Sequence, residues 1–214
     1  MNALTPWRIP VLAGRRLVGA LVAGVLAVGV LAGCASSPAP VLLTLPPAVV
    51  VAAAAPAAAG PAPALAVRRV TIPEYLVARR VRYRADASTL AEWPNTYWAE
   101  RIEIGVSREF LSALRQQLPG WTLCDTSCGE QAAALTLQVD LVPMDYVRST
   151  RTLQARARIN LSGAEASAKP LRTEELAYEL PGGSDTAQAQ AQAMAELIRQ
   201  VAQALAPMVR AARP

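Results

Sequence analysis

The most reactive groups in this 214-residue chain are three thiols, and their settings assign them different chemistry. Cys34 directly follows Leu31-Ala32-Gly33. Small residues just before a cysteine fit the cleft of a signal peptidase, and the thiol at the cut is the atom that takes a diacylglycerol. Cys124 and Cys128 stand in a C-x3-C spacing. Three readings are open for them: a small disulfide loop, two buried free thiols, or part of a metal site. The chain has no histidine, so a metal would need Asp or Glu to complete four ligands. Export to an oxidising compartment favours the bridge. The missing histidine also removes the side chain best poised for proton transfer near neutral pH. No G-x-S-x-G elbow, phosphate-cradling glycine loop or metal-spaced carboxylate cluster occurs. Glu174 and Glu175 are adjacent, but neighbours in a strand face opposite ways. The expectation is no enzyme, no catalytic residue, no cofactor and no metal.

The segment before Cys34 carries Arg8, Arg15 and Arg16 without an acidic residue, then an unbroken Leu/Val/Ala/Gly run from Leu17 to Val30. This is a charged n-region followed by an apolar h-region, shorter than the ~20 residues that a bilayer span needs. With Leu-Ala-Gly-Cys at its end it resembles a lipoprotein signal ending in a lipobox. Residues 1–33 are therefore read as removed, and the chain as anchored to a membrane through acylated Cys34. An ordinary secreted protein with a chance cysteine is the alternative. Ala35 is not the Asp that retains lipoproteins at an inner membrane, which favours the periplasmic face of the outer membrane. The net charge of +5 comes from arginines scattered among acidic residues, so a nucleic-acid partner is not expected.

Residues 34–66 are rich in Ala, Pro and Val and read as a tether. Within it, Val41–Leu45 is either a first strand or an apolar patch. A single folded domain spans 67–212. Val70-Thr71-Ile72 is β-branched until Pro73, and Glu74-Tyr75-Leu76 makes a turn or short helix. Val81 and Tyr83 alternate with Arg80, Arg82 and Arg84 as in a half-buried strand. Arg79, Arg80, Arg82 and Arg84 could meet an acidic partner or lipid headgroups, or could form a solvated edge that discourages strand addition. An aromatic cluster follows at Trp93, Tyr97 and Trp98 around Pro94. From Trp98, the apolar positions Ile102, Val106, Phe110, Leu111, Leu114 and Leu118 trace one helix side, closed by Pro119-Gly120. Trp121–Leu123 reads as a short strand. Three alternating segments, Leu135–Leu141, Thr152–Leu161 and Glu175–Leu180, read as an antiparallel meander. Arg156 and Arg158 would then lie near Glu175 or Glu179. After a cap within Ser184-Asp185-Thr186, Ala187 to Met208 repeats at steps of four and three, either a coiled-coil seam or a helix packed across the sheet. Pro207 should kink or end it. The fold class is α+β: a mostly antiparallel sheet with two long amphipathic helices packed on one face.

A series of short motifs goes further. Leu43-Thr44-Leu45-Pro46-Pro47, Val70-Thr71-Ile72-Pro73-Glu74-Tyr75-Leu76, Val81-Arg82-Tyr83-Arg84 and Tyr97-Trp98-Ala99-Glu100 stand in order after the lipobox. Together they resemble the ABC-type transport auxiliary lipoproteins. Arg101-Ile102 replaces that family's usual Pro-Leu, and Ala85–Asn95 diverges. The resemblance implies a non-catalytic periplasmic subunit working with an inner-membrane MCE-domain protein and its membrane components to move phospholipid or other hydrophobic molecules, with a homo-oligomer as a further expectation. The alternative is an outer-membrane structural or assembly lipoprotein that transports no lipid. Trp93, Tyr97 and Trp98 are the candidate partner anchors, since aromatics are favoured at interfaces. A core role for them is the competing reading.

Overall fold

The structure, a computed structural model, describes residues 38–48, 62–164 and 170–212. Cys34 and the segment read as an export signal lie outside the described residues. The chain divides into Met1–Ala39 and Pro40–Pro214, and the second unit holds every described strand and helix.

Period-two patterning builds the centre of the sheet. β6, β7 and β8, numbered in chain order (Leu135–Val147, Thr152–Gly163 and Arg172–Pro181), form an antiparallel meander. Leu137, Val139 and Leu141 of β6 and Leu153, Ala157, Ile159 and Leu161 of β7 are buried on one face, while Gln154, Arg156 and Arg158 are exposed on the other. Arg156 and Arg158 both reach Glu175, at 3.2 and 3.7 Å. Exposed pairs of this kind contribute at most about 1 kcal/mol each. The β6 register slips at Val142-Pro143, after which Met144 and Tyr146 take the buried positions. A bulge thus re-aims the end of the strand.

The other edge of β6 is shared. β2 (Ala64–Val67) pairs in parallel with its first half, and β3 (Arg80–Arg84) meets its end. β5 (Thr122–Asp125) extends β2, β4 (Leu90–Trp98) extends β3, and β1 (Val41–Leu43) lies outermost beside β4. One eight-stranded sheet results, with long antiparallel ladders and short, mostly parallel additions.

Three local expectations change here. The stretch 34–66 contains β1 and most of β2; Ala64-Leu65-Ala66 has no strand signal of its own, but it is wholly buried between β5 and β6, where small side chains fit. Residues 90–98 form a strand where the sequence shows an aromatic cluster. Pro94 offers no N–H and Asn95 has φ 49°, so the β3 register breaks between Arg80 and Arg82, an irregularity at which a strand tolerates proline. β3 is flanked by β4 and β6, so its arginines do not guard a free edge.

α1 (Ile102–Gln117) begins after Trp98 has closed β4 and buries Ile102, Val106, Phe110 and Leu114. α2 (Ala187–Ala211) is capped by Thr186, whose Oγ1 accepts the Ala189 N–H at 3.2 Å. Its seam, Met194, Ile198, Val201 and Leu205, is buried within this chain, against α1 and against β7 and β8. The helix does not end at Pro207 but runs on to Ala211. The proline costs one backbone bond in the last turns, where buried Ala206, Met208 and Val209 hold the helix down.

Candidate functional site

The motif residues gather around α1 and the β3–β4 hairpin. Chain leaving a sheet carries N–H groups that need partners when buried. After β1, Leu45 is buried and the Ala48 N–H donates to Glu109 Oε2 of α1 at 3.0 Å. The Val70 N–H donates to Ser107 Oγ at 3.1 Å, and that hydroxyl donates to the Glu103 carbonyl at 2.8 Å. Arg108 bonds both Glu100 (2.6 Å) and Glu109 (3.0 Å), which raises its pKa further above the usual range. One face of α1 therefore clamps the Leu-Pro-Pro and Val-Thr-Ile-Pro segments.

The tyrosines and arginines form a second network. The Tyr75 hydroxyl donates to Asp145 Oδ1 at 2.8 Å, and Arg84 Nε donates to Oδ2 at 3.0 Å with its guanidinium 5.6 Å from the Tyr75 ring. Burial, and then the Asp145 carboxylate, push Tyr75 up to about 12. Arg82 pairs with Glu92 at 3.3 Å and donates to the Tyr75 carbonyl at 3.0 Å. Arg148 donates to the Tyr83 hydroxyl at 2.7 Å, grips Asp185 at 2.8 and 3.0 Å, and lies 4.5 Å from the Trp93 ring centre. The hydrogen bond from Arg148 holds the Asp185 carboxyl below its ordinary range.

The three aromatic candidates share β4 but not a surface. Trp93 and Trp98 are core residues, 6% and 4% exposed, so neither presents a ring to a partner. Trp93 Nε1 donates to Gln190 Oε1 at 2.7 Å, and Gln190 Nε2 donates to the Arg82 carbonyl at 2.7 Å. Tyr97 is half-buried and faces out, with the Arg79 and Arg80 guanidiniums 5.9 and 5.2 Å from its ring centre. Cys124 and Cys128 are bridged, Cα to Cα 5.0 Å, where β5 ends. Sequence reading did not single out Gln190, Glu109 or Asp145. A lone amide at an inward position of an alanine-rich helix was the available signal for Gln190.

A groove of about 410 Å³ opens beside this network, lined by Val77, Arg79, Trp98, Arg101, Ile102 and Glu103 among others. Glu103, at the start of α1 and 7% exposed, is ion-paired with Arg101, but its carboxylate accepts no well-aligned hydrogen bond. Among the described residues no group of three or more His, Cys, Asp or Glu could hold a metal. Tyr75, Arg82, Tyr83, Arg84 and Glu100 of the motifs are all paired within the chain. The arrangement is suited to presenting a shaped surface. Among the described residues no helix is long and apolar enough to cross a membrane.

Comparison with known proteins agrees with this organisation. Two crystal structures share the fold: an uncharacterized protein (TM-score 0.62, 18% identity, 80% of this chain and 99% of that one) and a Xanthomonas campestris protein of family DUF330 (TM-score 0.58, 14% identity, 80% and 95%). No curated protein matches the sequence. Residues 43–206 match the family described as the ABC-type transport auxiliary lipoprotein component, a span that takes in the motif segments, both helices' cores and the whole meander. The chain belongs to the ABC-type transport auxiliary lipoprotein family.

Proposed function

We propose that this protein is the non-catalytic, lipid-anchored subunit of an MCE-type envelope transport system, held by acylated Cys34 on the periplasmic face of the outer membrane. Its domain docks on an inner-membrane MCE-domain protein and helps to pass phospholipid or another hydrophobic molecule between the two membranes. The observation that carries this reading is the family match over residues 43–206. The geometry supports it: arginines, tyrosines and carboxylates of the motifs pair internally, as in a scaffold, and transport energy must come from other subunits.

The test is a crosslinked pull-down of the intact acylated protein from envelope membranes, with Cys34→Ala as the control and partners identified by mass spectrometry. Recovery of an MCE-domain protein, reduced in the control, is the expected result. Repeated recovery of outer-membrane assembly proteins alone would replace the transport role by a structural one.

A further inference from the structure

β1 is the edge strand of the sheet and the first described strand after Cys34. Leu42 is 56% exposed, while Val41, 41% exposed, and the buried Leu43 lie on the opposite face of the strand. Single exposed apolar residues are commonplace, but Leu42 has basic and aromatic neighbours on its own face. In the sheet register Leu42 stands opposite Tyr97, and Tyr97 opposite Arg80, so the three share a face. Arg79 and Arg80 flank the Tyr97 ring. Arg80 shares its charge with Glu92 at 3.4 Å; Arg79 makes no ion pair among the described residues. An exposed leucine, a half-exposed tyrosine and arginines in one strip are what an interface between acyl chains and headgroups takes up.

Chain length sets what this strip can reach. Six residues lie between Cys34 and Val41, so their Cα atoms, seven steps apart, are separated by no more than about 25 Å even when fully extended. An acylated Cys34 therefore keeps β1 within a protein radius of the bilayer.

We propose that β1 lies against the membrane that holds the anchor, with Leu42 at the acyl boundary, Tyr97 at headgroup level and Arg79 and Arg80 facing anionic phosphate groups. The domain then sits on the bilayer in a defined orientation. This inference rests on acylation of Cys34. A short link gives even a weak surface contact a high effective concentration, so few side chains are needed.

The test uses the mature acylated protein in vesicles of phosphatidylethanolamine with phosphatidylglycerol, with photoreactive benzoylphenylalanine in place of Leu42 or, as the control, of Leu171, which is 58% exposed at the approach to β8. The expected result is a lipid adduct at position 42 in at least fivefold excess over position 171, reduced severalfold by Arg79→Glu with Arg80→Glu or by replacing phosphatidylglycerol with phosphatidylcholine. Protein that floats with the vesicles but gives equal adducts at both positions overturns the docking and leaves the anchor standing. Adducts to a second copy of the chain at position 42 overturn it in favour of an interface between copies. Protein that does not float overturns both.

Discussion

Replacing Gln190 by leucine tests whether the amide between α2 and the β3–β4 hairpin holds the motif region together. Gln190 is 2% exposed, and it bonds two groups of the β3–β4 hairpin that are distant from it in sequence, the indole N–H of Trp93 and the carbonyl of Arg82. Leucine fills nearly the same volume, so no cavity forms and the change isolates the polar contribution. It leaves a buried N–H and a buried C=O without this partner. An orphaned donor or acceptor costs about 1–3 kcal/mol. The carbonyl has a second lone pair and sits in a strand, so its share lies at the low end, and the sum is about 3 kcal/mol. For a domain of this size that lowers Tm by about 9 °C. The assay is thermal and urea unfolding of the mature protein in detergent, where the urea midpoint should fall with the slope unchanged. Trp93→Phe supplies the second corner of a double-mutant cycle. In that background no indole N–H remains to be orphaned, so Gln190→Leu should cost about 1.5 kcal/mol less. A Gln190→Leu protein within about 0.5 kcal/mol of the wild type, or strict additivity in the cycle, would refute the reasoning.

Three further outcomes follow from the same contacts. Tyr75, pushed up to about 12 against an ordinary tyrosine near 10, favours the neutral form in the fold; its contribution is complete below about pH 10 and lost as pH rises through about 12. Difference absorbance at 295 nm should lose one late-titrating component in Tyr75→Phe, while Tyr146 and Tyr178, which burial also raises, still titrate late. Cys124→Ser with Cys128→Ser opens a loop with a sequence separation of four, worth about 2 kcal/mol by loop-closure entropy, so the protein should stay folded with a modestly lower urea midpoint; loss of folding would show that the bridge does more than hold a turn. Gly182→Ala places a methyl 2.5 Å from Tyr146 Cε2 and 3.0 Å from the Arg151 carbonyl, which should cost about 1–3 kcal/mol, whereas Gly163→Ala meets nothing within 4 Å and should be near neutral by the same unfolding assay.

Strand pairing with a distant part of the chain decides where the folded sheet begins. Composition alone suggests a flexible arm through residue 66, which would let the domain roam far from its anchor. With β1 paired to β4 and β2 to β5 and β6, strands of the described sheet begin at Val41, inside the stretch that composition marks as a tether.

Sequence alone determined whatever depends on local periodicity or on a single reactive group: the meander of β6, β7 and β8, the apolar sides of α1 and α2, the thiol that follows Leu-Ala-Gly, and the motif order that the family match over 43–206 repeats. Those signals lie within a few residues of one another, where backbone geometry imposes a period of 2 or 3.6. Tertiary structure decided what depends on a partner distant in the chain. Trp93 and Trp98 went to the core and Tyr97 to the surface, a division that three aromatics within six residues could not reveal. Ala64–Val67 and Leu90–Trp98 became strands against weak local propensity, because neighbouring strands offered them backbone partners. The burial of Gln190 and Glu109, and with it the internal use of the motif charges, follows from helix positions fixed only when α1 and α2 close on the sheet and on each other.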